Sequence, residues 1–188
     1  MRVIMFGAPG VGKGSVSEVL KDLWHLPYVG VGETLRKEIA DETPLGLSIK
    51  ELLQEGHFVD DGIINEMMRN ALGQQEDYLL DGFPRNIVQA KFYLWEIHNP
   101  SFVVHLKAPE AVLVERMLAR GREDDTEDTI RQRLAQYDYD TAPVLEYFGL
   151  FSSFPILEVE SVGGIEAVAR KVRETILDFL DRNQGFYP

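Results

Sequence analysis

Cysteine is absent from this 188-residue chain. Its absence excludes disulfides and thiolate metal sites and suits a reducing compartment, so a cytoplasmic location is expected. Basic residues are scarce: 19 Lys and Arg stand against 31 Asp and Glu, for a formal net charge of −12. A phosphate backbone demands a basic face, so nucleic acid is not expected as a partner, and an anionic membrane surface is disfavoured for the same reason. Long apolar runs are missing too. None approaches the roughly 20 residues of a membrane span, and the few apolar residues before the first glycines are too few for the apolar core of a signal peptide. The four histidines, His25, His57, His98 and His105, are far apart and match neither HxxxH nor HExxH. A histidine metal site or a Ser-His-Asp triad therefore has little support. No repeat or low-complexity tract is evident, and the final NQGFYP reads as a frayed tail.

What remains is a chain that is 45% hydrophobic, of a length that suits one domain over residues 1–188 with room for a small insertion. RVIMF (Arg2–Phe6), YLLD (Tyr78–Asp81), FVVHLK (Phe102–Lys107) and Ile156–Val159 read as short buried strands. Helical periods run over Val16–Trp24, Leu35–Ala40, Leu45–Glu55, Ile63–Leu72, Ala111–Arg120, Thr126–Phe148 and Ile165–Leu180. Strands alternating with helices predict an α/β fold with a parallel sheet. Ligands of such sheets bind beyond the carboxyl ends of the strands. Two segments fall there, GAPGVGKGS (Gly7–Ser15) and DGFPR (Asp81–Arg85).

GAPGVGKGS packs four glycines, a lysine and a serine between a strand and a helix. Glycines let backbone N–H groups converge, and the following helix adds its free N–H groups and the positive end of its dipole. The product is an anion nest in which Lys13 supplies a point charge and a hydroxyl can reach a Mg²⁺ shell. The pattern GxxxxGK followed by Ser or Thr is missed by one place: Gly14 stands where the hydroxyl belongs, and Ser15 follows.

This loop resembles the phosphate loop of adenylate kinases, which carry the same extra glycine. YVGVGETLR (Tyr28–Arg36) is similar to that family's segment holding the monophosphate, and LGLSIKELLQEGHFVDDGI (Leu45–Ile63) to the helical hairpin after it. YLLDGFPRNIVQA (Tyr78–Ala90) resembles the family's most diagnostic run. ERMLAR and GREDDTEDTIRQRLAQYDYDTAPVLEYF resemble the lid and the helix after it. The segments lie in the family's order and cover nearly the whole chain. The resemblance implies a P-loop three-layer α/β/α fold with a central parallel sheet of about five strands. It also implies a helical NMP-binding insertion at 30–59, a short lid at 116–125, and reversible phosphoryl transfer from ATP to AMP giving two ADP, with Mg²⁺ as cofactor, in a monomer.

The resemblance also implies roles. Gly10, Val11, Gly12, Lys13, Gly14 and Ser15, with Arg116 and Arg120, would bind ATP. Val31, Gly32, Arg36, Val59, Gly82, Arg85 and Gln89 would bind AMP, Arg36 and Arg85 gripping its phosphate. Lys13, Arg85, Arg122 and Arg133 would surround the transferring group, because phosphoryl transfer relies on positioning and fixed positive charge. Ser15 and Asp81 would hold the metal, mostly through water. Gln89 stands where the family reads adenine, and a glutamine amide offers a donor and an acceptor together.

Plainer readings stand beside these. Arg116 and Arg120, four apart on a helix, could be a solvated face paired with Glu115, Asp124 or Asp125. Asp81 could be a turn residue before Gly82, and Asp124 or Asp125 could cap the helix starting near Thr126. The Phe83–Pro84 bond is a candidate cis bond. Asn86 is more like uridylate/cytidylate kinases, and Gly30-Val31-Gly32 replaces the family's Ser-Thr-Gly, so a UMP/CMP or other monophosphate kinase is the alternative. A nucleotide-binding sensor with little turnover is the reading from another class. Glu33 replaces the usual aspartate. Only Gly121 separates Arg120 from Arg122, which leaves almost no lid loop. Lids exclude water, so some transfer to water is expected.

Overall fold

The computed structural model describes residues 1–54, 59–73, 75–97, 99–121 and 125–183. The readings made on Glu55, His57, His98, Arg122, Asp124 and the end of the tail lie outside the described residues.

RVIMF forms β1 (Arg2–Phe6), with Val3, Ile4, Met5 and Phe6 all buried. A strand apolar on both faces belongs inside a parallel sheet covered on both sides. The order is β2-β3-β1-β4-β5 and every pairing is parallel, with β2 at Tyr28–Gly30, β3 at Tyr78–Asp81, β4 at Phe102–Lys107 and β5 at Ile156–Glu160. Side chains alternate along each strand, so the sheet sends them to two separate cores. Val3, Met5, Leu79 and Val104 pack with helices α1 (Lys13–Trp24), α6 (Glu110–Arg120), α7 (Glu127–Gln136) and α9 (Ile165–Arg182). Ile4, Phe6, Tyr78, Leu80 and Val103 pack on the opposite face with α4 (Asp61–Leu72), α5 (Ile87–Glu96) and α8 (Ala142–Phe151). The expected three-layer α/β/α arrangement is the one observed. Strand β5 covers an edge. Its Leu157 and Val159 are buried, and its Glu158 and Glu160 face solvent.

Helices α2 (Val31–Ala40) and α3 (Pro44–Gln54) precede α4 as a helical excursion between β2 and β3. Two elements were not anticipated. Strand β2 supplies the fifth strand, and its three residues are too few to show a period. Helix α5 carries Val88 and Trp95 on its exposed side, so apolar residues surround it and blur the helical period. The long helix expected over Thr126–Phe148 is instead α7, a π-helical turn at Tyr137–Thr141, and α8. Pro143 near the start of α8 has no N–H to continue an α ladder, and the Ala142 N–H reaches back to the Tyr137 carbonyl in the wider π register.

Tyr78 and Tyr93 share a buried hydroxyl–hydroxyl hydrogen bond of 2.7 Å that ties β3 to α5. Tyr78→Phe or Tyr93→Phe alone leaves one buried hydroxyl without its partner and is expected to cost about 1–3 kcal/mol. The double substitution leaves no orphan, so its cost in denaturant unfolding should be less than the sum of the single costs; strict additivity would show that the bond carries no stability.

Candidate functional site

Each strand's carboxyl end delivers a site segment. After β1 the chain turns through Gly7, Gly10 and Gly12, all at positive φ, and enters α1 at Lys13 with no side chain capping the first turn. The glycine at position 10 is required by close approach: a Cβ there would lie 2.8 Å from the Leu113 carbonyl oxygen and 2.9 Å from Met117 Cγ. The loop is thus wedged against α6, with Val11 buried beneath it. The leading N–H groups of α1 have no intrahelical acceptor by geometry, and helix starts of this kind favour anions. Lys13 folds back over the loop, its Nζ donating to the carbonyls of Gly7 at 2.6 Å and Ala8 at 3.1 Å. Burial lowers the Lys13 pKa, the Asp81 charge opposes that, and Arg85 adds to it.

Asp81 ends β3. Its Oδ2 would meet a Cβ on Gly14 at 3.6 Å, and it accepts a 3.2 Å hydrogen bond from the Tyr28 hydroxyl. Tyr28 was not anticipated as a site residue. A Cβ on Gly30 would lie 2.8 Å from that hydroxyl. The glycine that replaces the family's serine therefore makes room for an aromatic ring whose hydroxyl reaches Asp81 from the same face of β2. Gly82, at φ 82°, then turns the chain into a cis Phe83–Pro84 bond. Arg85 Nε donates to the Gly82 carbonyl at 2.9 Å, and the Thr141 hydroxyl in the π-helical turn donates to the Arg85 carbonyl at 2.7 Å.

The arginines fall into two groups. Arg36, on α2 with a guanidinium nitrogen 3.4 Å from where a Gly32 Cβ would stand, has no ion-pair partner among the described residues, and neither does Arg85. Arg120 and Arg133 converge instead on Asp125. Arg120 grips it bidentately at 2.9 and 2.8 Å, and Arg133 donates at 2.8 Å. The pairing reading of Arg120 is the one seen here. Asp125 is not the helix cap, since Thr126 caps α7 and forms a capping box with Thr129. Arg116 lies against the phosphate loop, donating to the Val11 carbonyl at 3.3 Å, the Ser161 hydroxyl at 3.2 Å and the Gly163 carbonyl at 3.3 Å. Ser161, 1% exposed, donates to the same Val11 carbonyl at 2.7 Å. No local pattern pointed to Ser161, because its partner lies 150 positions away.

Gln89 is buried, 5% exposed. Its Oε1 accepts from the Arg85 N–H at 2.7 Å, and its Nε2 donates to Asp61 Oδ1 at 2.7 Å. Asn86 caps α5 through its Oδ1, which accepts from the Gln89 N–H at 2.9 Å, while its Nδ2 donates to both Asp61 oxygens. In the Asp60–Asp61 pair, Asp60 caps α4 by accepting from the Ile63 N–H. That leaves Asp61 for the Asn86–Gln89 contact. Val31 is buried, and Val59 packs half-buried against the same cluster as Phe83 and Ile87. Ser15 is exposed at the start of α1.

Among the described residues no group of three or more His, Asp or Glu side chains could hold a metal ion by itself, and no helix is long and apolar enough to cross a membrane. An Mg²⁺ shared with substrate phosphates needs only one or two protein oxygens. The Ser15 hydroxyl and the Asp81 carboxylate, on either side of the Lys13 turn, fit that requirement.

The adenylate kinase family model matches residues 5–152. The chain is 36% identical to an adenylate kinase of Xanthomonas oryzae pv. oryzae, over 94% of this chain and 99% of that one. It is 38% identical to adenylate kinase 1 of Nostoc sp. over 78% of this chain and 84% of the relative. It is 42% identical to adenylate kinase 1 of Synechocystis sp. over 78% and 82% respectively.

The Arg120 hydrogen bonds hold the Asp125 pKa down to about 2, below its ordinary 3.8; burial opposes this, and the charges of Arg120 and Arg133 reinforce it. A depressed carboxylate stabilises the fold fully above its unfolded pKa and loses that contribution as pH falls through its folded value. The stability gap between the natural protein and Asp125→Asn should therefore be largest above pH 4 and close toward pH 2. A gap that stays constant across that range contradicts the assignment.

Proposed function

The chain belongs to the adenylate kinase family and transfers a phosphoryl group reversibly from ATP to AMP, giving two ADP, and we propose how its own residues divide that work. The observation that carries the proposal is the uncapped start of α1, where the Lys13 ammonium rests on the Gly7 and Ala8 carbonyls and the Asp81 carboxylate lies beside Gly14. The nest from Gly10 to Ser15 and Lys13 hold the donor phosphates. When phosphate arrives, the Lys13 ammonium exchanges its two carbonyl partners for phosphate oxygens. Arg36 and Arg85, with no carboxylate to neutralise them among the described residues, grip the acceptor phosphate beside Gly32 and Gly82. Val31 and Val59 wall the base and Gln89 reads its edge. The transferring group is assigned to Arg133 and Arg120, which Asp125 orders, together with Arg122, and the donor to Arg116, which braces the loop through Val11. Adenylate kinases generally use Mg²⁺ with ATP; Ser15 and Asp81 would hold it, and it would neutralise phosphate charge.

In this reading residues 30–59 are the AMP-binding insertion and 116–125 a short lid. Gly121, at φ 67°, caps the end of α6 and Thr126 caps the start of α7, so too few residues separate the two helices for a separate lid domain. Two observations favour AMP over pyrimidine monophosphates. Asn86, the residue that leans toward the pyrimidine kinases, is engaged in capping α5 and bonding Asp61. Gln89, engaged once at each end of its amide by Asp61 and the Arg85 N–H, keeps one further donor and one further acceptor. The same reading has a monomer in the cytoplasm with nucleotides as its partners, and a charge of −12 argues against nucleic acid as the main one.

A coupled assay with Mg-ATP and AMP, UMP, CMP or GMP in turn should give turnover dominated by AMP. Lys13→Ala and Arg85→Ala should each lower kcat/KM by about 10²–10³ with the melting transition retained. Equal rates with UMP or CMP, or none with any acceptor, contradict the reading. In the absence of AMP, Mg-ATP hydrolysis should be detectable above background, since a short lid shields the phosphoryl group poorly. Negligible hydrolysis would refute that consequence of the short connection.

A further inference from the structure

We propose that Asp61 fixes the polarity of the Gln89 amide, and that this lock makes the acceptor site select a 6-amino purine over a 6-oxo purine. The proposal rests on the reading of Gln89 as the residue that meets the acceptor base.

A glutamine amide has two N–H donors on one end and two lone pairs on the other. The chain occupies one of each. Asp61 Oδ1 takes one Nε2 proton at 2.7 Å, and the Arg85 N–H takes one Oε1 lone pair at 2.7 Å. Rotating the amide by half a turn would set its oxygen against a carboxylate oxygen and its NH₂ against an N–H donor. Both contacts would be of like polarity, at a residue only 5% exposed, where water offers little relief. Asp61 cannot easily turn away. Asn86 Nδ2 donates to both of its oxygens, at 3.0 and 2.9 Å, and Asn86 is itself held as the cap of α5 by the Gln89 N–H at 2.9 Å. The ring Asp61–Asn86–Gln89 therefore joins the start of α4 to the start of α5 and leaves the amide one orientation.

What the ring leaves open is one donor and one acceptor, with their positions set. Adenine presents an exocyclic amine donor beside a ring-nitrogen acceptor and meets that edge with both hydrogen bonds. Hypoxanthine presents an oxygen where adenine presents the amine, so two acceptors would face each other. A glutamine free to rotate could turn its NH₂ toward that oxygen and accept either base. The selectivity is thus assigned to the carboxylate behind the glutamine as much as to the glutamine itself.

The test compares kcat/KM for AMP and for IMP, which differ at the edge in question and share the ribose and phosphate. Asp61→Asn keeps the size of the side chain but can present either an oxygen or an NH₂ to Gln89. The AMP-to-IMP ratio should fall about tenfold or more, carried mainly by a lower KM for IMP relative to AMP. A ratio within twofold of the natural protein overturns the lock. Gln89→Ala separates the two layers of the argument. If it collapses the ratio while Asp61→Asn does not, the lock fails and the base-reading role stands; if neither moves the ratio, both fail. A merely structural role for Asp61 would lower the melting temperature without changing the ratio. A measurement on the unsubstituted protein covers an Asp61→Asn variant that does not fold. Without nucleotide, one Gln89 side-chain N–H should exchange with solvent markedly more slowly than those of exposed glutamines, whereas rapid exchange of both Gln89 N–H groups overturns the lock.

Discussion

A positive charge is most available to phosphate where no carboxylate already neutralises it. In a chain with 31 acidic residues and 19 basic ones, that constraint shapes the site. Arg36 and Arg85 lie beside Gly32 and Gly82 with no ion-pair partner among the described residues, Arg85 donating to the Gly82 carbonyl. Lys13 is bonded to two loop carbonyls, neutral partners that an anion displaces far more readily than a carboxylate. Asp81 is near enough to be felt by Lys13, while its hydrogen bond comes from the Tyr28 hydroxyl.

At the end of α6 the balance differs. Asp125, its side chain wholly buried, collects Arg120 and Arg133. A carboxylate shared by two guanidinium groups orders both and joins the end of α6 to α7. The π-helical turn contributes at a distance: the widened register at Tyr137–Thr141 carries Thr141 to the Arg85 carbonyl, which links the post-lid helix to the DGFPR turn.

Much of this was legible in the residues themselves. Short apolar runs marked β1, β3, β4 and β5, and the family's motifs, in order, led to the α/β sheet and to Lys13, Arg36, Asp81, Arg85 and Gln89. These are local signals, since each motif lies within a dozen residues. Strand β2 and helix α5 escaped because three residues carry no period and because α5 is apolar on its exposed side as well. Tyr28, Asp61 and Ser161 escaped for another reason. Their partners lie 53, 28 and 150 positions away.

The order of residues along the chain, by itself, determined which side chains could touch phosphate, because a glycine loop between a strand and a helix makes an anion nest through short-range backbone geometry alone. Which cations are already engaged, which way the Gln89 amide faces, and that Gly30 opens space for the Tyr28 ring were decided only when the parallel strands came into register. Hydrogen bonds and ion pairs act over a few ångströms, and those distances between residues remote in sequence do not exist until the chain is folded.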